Sequence, residues 1–363
     1  MRKKSKIAMN LLIAVAAAAV VATAARAQDK PKTFEELINY KGADREQILY
    51  EGAKKEGVAV YYTGYVKRLM DNYMKMWKAK YPGVNLDVTI ASDHATATRV
   101  ITEYQAGVHA VDVISTSGTT KAISDAIGKG AFNSPVLSDY PVGDVGRAKD
   151  NSYIALTFLA HTFAFNTNRV KPDEIPTKLE DLLSPRWKGK IVVNNSPSML
   201  PMLAGGLLQT IGEEKTRKFL KEFAKQDVTV LPVTVNALAG MVAAGDYDGC
   251  ICAVHHIRAL QEDGAPVQYK FLTDTVFAQT HVMQLPPKPA HPYAALLLAD
   301  FLLSPTGGAL VQKDTGYFPT NATLFALDKE LSSRKSWVMT PELLETDGDK
   351  WRKELTDAGF VKQ

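Results

Sequence analysis

Gly245-Asp246-Tyr247-Asp248-Gly249-Cys250-Ile251-Cys252-Ala253-Val254-His255-His256 is the stretch from which the rest of the chain can be read. A helical pattern through Ala237, Leu238, Met241 and Val242 precedes it, and Gly245 can take the left-handed conformation that ends a helix. The apolar run that follows is too short for a helix and is bounded by turn residues, so it is expected to form a buried strand. That strand ends on two adjacent histidines, and a second helical pattern follows through Ala259 and Leu260. In open α/β sheets, ligands sit just beyond the carboxyl ends of strands. His255 and His256 are therefore placed where a ligand would lie.

The same alternation recurs toward the N-terminus. Val58–Tyr62 reads as a strand with the loop Thr63-Gly64-Tyr65 at its end, and Met70, Tyr73, Met74 and Trp77 repeat at helical spacing until Pro82-Gly83. Val84–Val88 alternates as a second strand, Thr96–Ala106 is helical, and Val111–Ile114 is a third strand running into Ser115-Thr116-Ser117-Gly118. Strand, helix, strand, helix, strand is the pattern of a parallel α/β sheet. Ile154–Phe165 and Val276–Leu285 are long, mostly apolar extended segments, expected to cross between two lobes. Between them, Leu179–Leu183 reads as a helix and Ile191–Val193 as a strand leading into the polar loop Asn194-Asn195-Ser196-Pro197-Ser198. Small polar residues at a helix start expose backbone N–H groups, a ready anion site; an ordinary capped turn is the competing reading. A further strand near Val228–Val233 precedes Thr234-Val235-Asn236 and another helix start. The charged tail is expected to be helical around Leu343 and Trp351.

Residues 1–27 read as a secretory signal peptide. Arg2, Lys3, Lys4 and Lys6 form a basic start, Leu11–Val21 an apolar core too short to span a bilayer, and Ala25-Arg26-Ala27 a cleavage site before Gln28. The mature chain is therefore expected in the periplasm. The formal charge of +4 belongs to this segment: without Arg26 and the four basic residues at the start, 38 basic residues face 39 acidic ones, a net charge of −1. No basic stripe interleaved with aromatics is present, so no nucleic-acid partner is expected. The remaining chain is long enough for two lobes. Cys250 and Cys252 are the only cysteines, and a disulfide across one intervening residue needs unusual geometry, so stability must come from packing.

Several segments, taken in order, resemble the ferric-ion-binding type of periplasmic solute-binding proteins of ABC importers. They are Ala53-Lys54-Lys55-Glu56-Gly57 before a Tyr-ended strand, Tyr81-Pro82-Gly83, Asp112-Val113, the run from Asp181 through Ser184-Pro185-Arg186-Trp187-Lys188-Gly189-Lys190 to Ile191, and Phe301-Leu302-Leu303-Ser304-Pro305. The resemblance implies a type II two-lobed fold in which each lobe is a mainly parallel sheet flanked by helices. Two crossing strands would join the lobes, and a small molecule or ion would be trapped between them and delivered to an inner-membrane ABC permease. On that basis residues 28–157 and 275–325 form the first lobe, 158–274 the second, and 326–363 a helical tail on the second lobe. A monomer without a cofactor and without enzymatic activity is expected.

The ligand does not carry over. Iron-binding members present two adjacent tyrosines where this chain has His255-His256, often a His near the position of Tyr65, and often a Glu near that of Ser117. An Arg that helps bind their synergistic anion is replaced around Leu159–His161. Ferric iron favours anionic oxygen ligands, whereas imidazole suits softer divalent ions. The site residues thus favour a small organic or phosphate-like anion over ferric iron, with metal ligation left undecided. The ligand-binding candidates are Thr63, Tyr65, Ser117, Asn195, Ser196, Asn236, His255 and His256. An unperturbed imidazole titrates near pH ~6.5, so anion affinity is expected to rise as the pH falls through that region.

Alternatives exist for each motif. One of the two histidines can serve the lobe interior while the other lines the pocket. Cys250 and Cys252 together with the histidines mimic a metal set, yet cysteine also packs well inside a strand. Ser92-Asp93-His94 holds triad residue types, but adjacency is not triad geometry, and a loop at the cleft edge is expected there. A periplasmic metal-dependent hydrolase using His94, His255 and His256 is a rival reading, as is an adhesion protein.

Overall fold

Glycine turns set the boundaries from which the sheet grows. The helix Arg45–Glu56 stops at Gly57, whose φ of 80° lies in the left-handed region, and strand β1 (Val58–Thr63) begins at the next residue. Likewise the helix Val235–Ala244 ends on Gly245, with φ 87°. The computed structural model describes residues 31, 33–128, 142, 146–150, 152–196 and 198–360. The expected signal segment and its cleavage site lie outside the described residues.

β2 (Asn85–Ile90) and β3 (Val113–Thr116) flank β1 on either side, and both run parallel to it. The first expected crossing segment is β4 (Ile154–Asn166). A second parallel group follows: β5 (Ile191–Asn194) between β6 (Thr229–Leu231) and β7 (Gly249–Ala253). After β8 (Val267–Lys270), which was not expected, β9 (Thr275–Gln284) is the second crossing segment. Two short additions complete the sheet: β10 (Phe318–Pro319) on β4, and β11 (Lys335–Met339) parallel to β9.

The strand order along the main path is β2-β1-β3-β9-β4-β7-β5-β6. The two parallel groups are thus the outer thirds of one continuous sheet, and the antiparallel pair β4–β9 is its middle. The crossing strands are bonded into both groups. β9 pairs with β3 through Met283↔Ser115, and β4 pairs with β7 through Thr162↔Cys252.

Each group has its own core. Tyr61, Tyr73, Trp77, Leu296 and Phe301 pack together on the first side; Trp187, Met202, Leu207, Phe223 and Trp351 pack on the second. Trp351 sits on the C-terminal helix Pro341–Asp357 and lies so close to Gly205 that a Cβ there would be 2.6 Å from its ring. Arg217 clamps the same helix through two bonds to Glu354, at 2.7 and 2.8 Å.

Three local expectations change. Leu179–Leu183 is a 3₁₀ turn, not an α-helix, held by Asp181 accepting from the backbone of Thr177 and Lys178. Ser92-Asp93-His94 is not a loop: Ser92 caps the helix Asp93–Gln105, accepting from Ala95 N at 3.3 Å. Finally, β7 stops at Ala253, and His255 and His256 lie in the first turn of the helix Val254–Glu262. The β-to-α change comes before the histidines rather than after them.

Candidate ligand cleft between the lobes

A cleft of about 570 Å³ lies where β4 and β9 pass between the two groups of strands. That size suits a small ligand. Its floor is Leu159 and His161 from β4, Gln279 and His281 from β9, and Tyr317. Residues two apart on a strand share a face, so each crossing strand sends an adjacent pair into the cleft.

The first-lobe wall is satisfied from within. His281 is pinned by two serines, with Nδ1 2.8 Å from Ser117 Oγ and Nε2 3.1 Å from Ser115 Oγ. Ser115 Oγ in turn meets Tyr61 OH at 2.7 Å and Thr63 Oγ1 at 2.8 Å. The Tyr65 ring lies over His281 with centroids 3.9 Å apart, and its hydroxyl is 2.8 Å from Thr157 Oγ1. Asp93, the first residue of its helix, accepts from the backbone N–H groups of Ser117 and Gly118 at 2.9 and 3.1 Å.

The second-lobe wall is built from helix starts. Asn194 donates to Val233 O at 3.0 Å, and its own carbonyl accepts from Ser196 N at 3.2 Å, which shapes the loop. Ser198, at the start of the helix Met199–Ile211, also lines the wall, as do Thr234 and Asn236 at the start of the helix Val235–Ala244. The helices Met199–Ile211 and Val254–Glu262 carry no side-chain bond from their N-cap residues. Positive ends of helix dipoles therefore face the cleft, and among the described residues no acidic side chain lines this wall. His255 stacks on Tyr317 at 4.1 Å with 24° between the planes, and its Nδ1 is buried without a hydrogen-bond partner.

Among the described residues five histidines line the cleft, His94 at its edge and four deeper in, and burial keeps those four neutral. It pushes His161 down to about 4, and His256 and His281 down to about 3. His255 falls well below the usual imidazole range, first through burial and then through its histidine neighbours. The titration near pH ~6.5 expected of an exposed imidazole is therefore displaced to acid. His161 Nδ1 lies 2.9 Å from its own strand's Leu159 O and must donate there, which leaves Nε2 with a lone pair.

Of the residues singled out in sequence, Tyr65, Ser117, Ser196, Asn236, His255 and His256 line the cleft. Thr63 does not. It is fully buried behind the wall, bonded to Ser115 and accepting from Tyr65 N at 3.1 Å. Asn195 is exposed and outside the lining; its neighbour Asn194 takes the place expected for it, because β5 carries one residue further and alternation turns Asn195 away. Ser92, Asp93 and His94, expected at the cleft edge, also line it, although as a helix start; sequence reasoning missed His161, Gln279 and His281 as cleft residues. The available signal was polar residues two apart within otherwise apolar crossing strands. Gln279 Oε1 is buried without a partner, like His255 Nδ1.

Neither a triad nor a metal set emerges. Among the described residues no group of three or more His, Cys, Asp or Glu side chains is arranged to hold a metal ion. Cys250 and Cys252 are free and buried within β7. Tyr65 and Tyr317 are the nearest phenols, and burial raises both well above the ordinary tyrosine value, so neither presents a ready phenolate.

The profile of the bacterial extracellular solute-binding protein family matches residues 110–340, more than half of the chain. The protein belongs to that family, whose members are ligand-binding components of transport systems. Among curated proteins, Iron uptake protein A1 of Synechocystis sp. is 27% identical over 123 residues, 34% of each chain; the match spans about a third of that relative's length. Two solved structures share the type II fold. AfuA from Actinobacillus pleuropneumoniae, with fructose-6-phosphate bound, superposes with a TM-score of 0.67 at 21% identity over 83% of this chain and 99% of its own. Iron-bound HitA from Pseudomonas aeruginosa gives 0.65 at 19% identity over the same shares.

Proposed function

We propose that the chain is the periplasmic binding subunit of an ABC importer and that it captures a small organic, phosphate-like anion by closing two lobes over it. Export would follow cleavage before Gln28. The lobes would be residues 28–157 with 275–325, and 158–274, the C-terminal segment riding on the second; the protein would act as a monomer and do no covalent chemistry. The observation that carries the ligand class is the second-lobe wall. It offers the starts of two helices whose N-cap residues make no side-chain bond, with only Met199 N given to a side chain (Ser196 Oγ, 3.0 Å), the small polar side chains of Ser196, Ser198, Thr234 and Asn236, and no acid among the described residues. A trivalent cation placed there would meet neutral imidazoles and buried phenols, with too little anionic oxygen to compensate its charge. The sugar phosphate bound by AfuA is in keeping with this reading.

Titration calorimetry of the iron-free mature protein with ethyl phosphate, 2-aminoethyl phosphate and ferric citrate tests the proposal. At least one organophosphate should bind, with a smaller radius of gyration in solution scattering when it does. Replacing both His255 and His256 with Ala should weaken it about tenfold or more while the protein stays folded. Tight ferric binding with a visible charge-transfer band would overturn the reading.

A further inference from the structure

Asp93 is out of place in a cleft that takes an anion. Its side chain is part-buried, its Oδ2 accepts both N–H groups of the Ser117–Gly118 turn, and no cation is paired with it among the described residues. Lys67, the one lysine lining the cleft among the described residues, is engaged with both carboxylate oxygens of Asp71 at 2.7 Å and points to solvent. Burial raises the Asp93 carboxyl above its ordinary range, and only the two N–H groups oppose that shift. A carboxylate so placed lacks its counter-charge.

Two further atoms in the same cleft are short of partners: Gln279 Oε1, an acceptor only, and His255 Nδ1. Acceptors therefore gather on the first lobe and the floor, and donors on the second-lobe wall. The two sides come close. A Cβ on Gly118, whose N–H Asp93 holds, would lie 3.5 Å from the Cβ of Ser198 at the opposite helix start.

We infer that the ligand is a zwitterion, an ammonium group joined by a short spacer to a phosphate or phosphonate, with Asp93 Oδ1 taking the ammonium and the helix starts at Ser198 and Ala253 taking the anion. This rests on the proposal that the cleft binds an organic anion and narrows it. Asp93 is then the selectivity residue: it fills the anion-binding turn of the first lobe with a built-in carboxylate, so that lobe rejects a second anionic group and demands a cation. Gln279 Oε1 accepts a further ammonium proton, and plain phosphate esters leave both acceptors unmet.

Calorimetry with 2-aminoethyl phosphate and ethyl phosphate decides the matter. The intact protein should bind the amino compound at least about thirtyfold more tightly, the factor expected for a desolvated charge pair. Asp93→Asn should abolish that preference, bringing the affinity for 2-aminoethyl phosphate to that for ethyl phosphate in a protein that still folds. Should Asp93→Asn not fold, Gly64→Ala serves instead: its Cβ would fall 2.5 Å from Asp93 Oδ1 and push the carboxylate aside, and the preference should fall. Equal binding of both compounds overturns the zwitterion and leaves the anion reading standing. A preference that survives both variants overturns the role of Asp93. If neither compound binds and ferric citrate does, both readings fail.

Discussion

The two walls of the cleft are made of similar residues and are in opposite states. On the first lobe, Tyr61, Thr63, Ser115, Ser117 and His281 bond one another in a closed network, and the turn N–H groups are already given to Asp93. On the second, His255 Nδ1 has no partner among the described residues, and two helices have N-cap residues that make no side-chain bond, with only Met199 N taken by Ser196 Oγ. A satisfied wall is rigid and recognises through shape and a single charge. An unsatisfied wall holds its donors ready for a guest, since each buried unmet group costs free energy until a ligand meets it. On the proposed reading, hinge closure would then have a direction: the second lobe would gain most from a ligand, and the first lobe would check what it is.

The largest expected effect is on stability against pH. The folded-state pKa values of His161, His256 and His281, about 3 to 4, lie below the unfolded value, so the unfolded chain binds more protons at mildly acid pH. The stabilisation from neutral histidines is complete above pH ~6.5 and is lost as the pH falls from there toward the folded values. The loss should reach on the order of 1 kcal/mol per pH unit for each histidine that stays neutral. Denaturant unfolding at pH 7.5 and 5.5, with histidine NMR titrations, measures it. Imidazoles of both walls titrating near pH ~6.5 would break the account of a buried cleft.

A smaller effect separates the walls. His281→Ala should cost about 3 kcal/mol, because it strands Ser117 Oγ, takes one of three partners from Ser115 Oγ and leaves a cavity beside Tyr65. His256→Ala, which removes no hydrogen bond recorded among the described residues, should cost less than about 1 kcal/mol. Equal costs by urea unfolding would mean that the walls do not differ as described. The smallest effect concerns the link between the lobes outside the cleft, the ion pair of Arg68 with Glu262. Both side chains are substantially exposed, so Arg68→Ala should change stability by no more than about 1 kcal/mol, and high salt should erase the difference.

The sequence by itself determined the alternation of strands and helices, the two long crossings and the glycine-ended helices. These follow from periods and turn residues that act within a few positions. It also placed His255 and His256 close behind a buried strand, where the structure has them lining the cleft. It did not determine that they begin a helix, because nothing local marks a β-to-α change between Ala253 and Val254; packing of Val254 and Ile257 into the interior decides that. Nor did it show β8 or β11, short strands whose partners β4 and β9 lie far away in the chain. The cleft itself belongs to tertiary structure. Asp93, His161 and His281 come from three separate elements, and their neutrality or lack of a counter-charge arises only when those elements exclude water together.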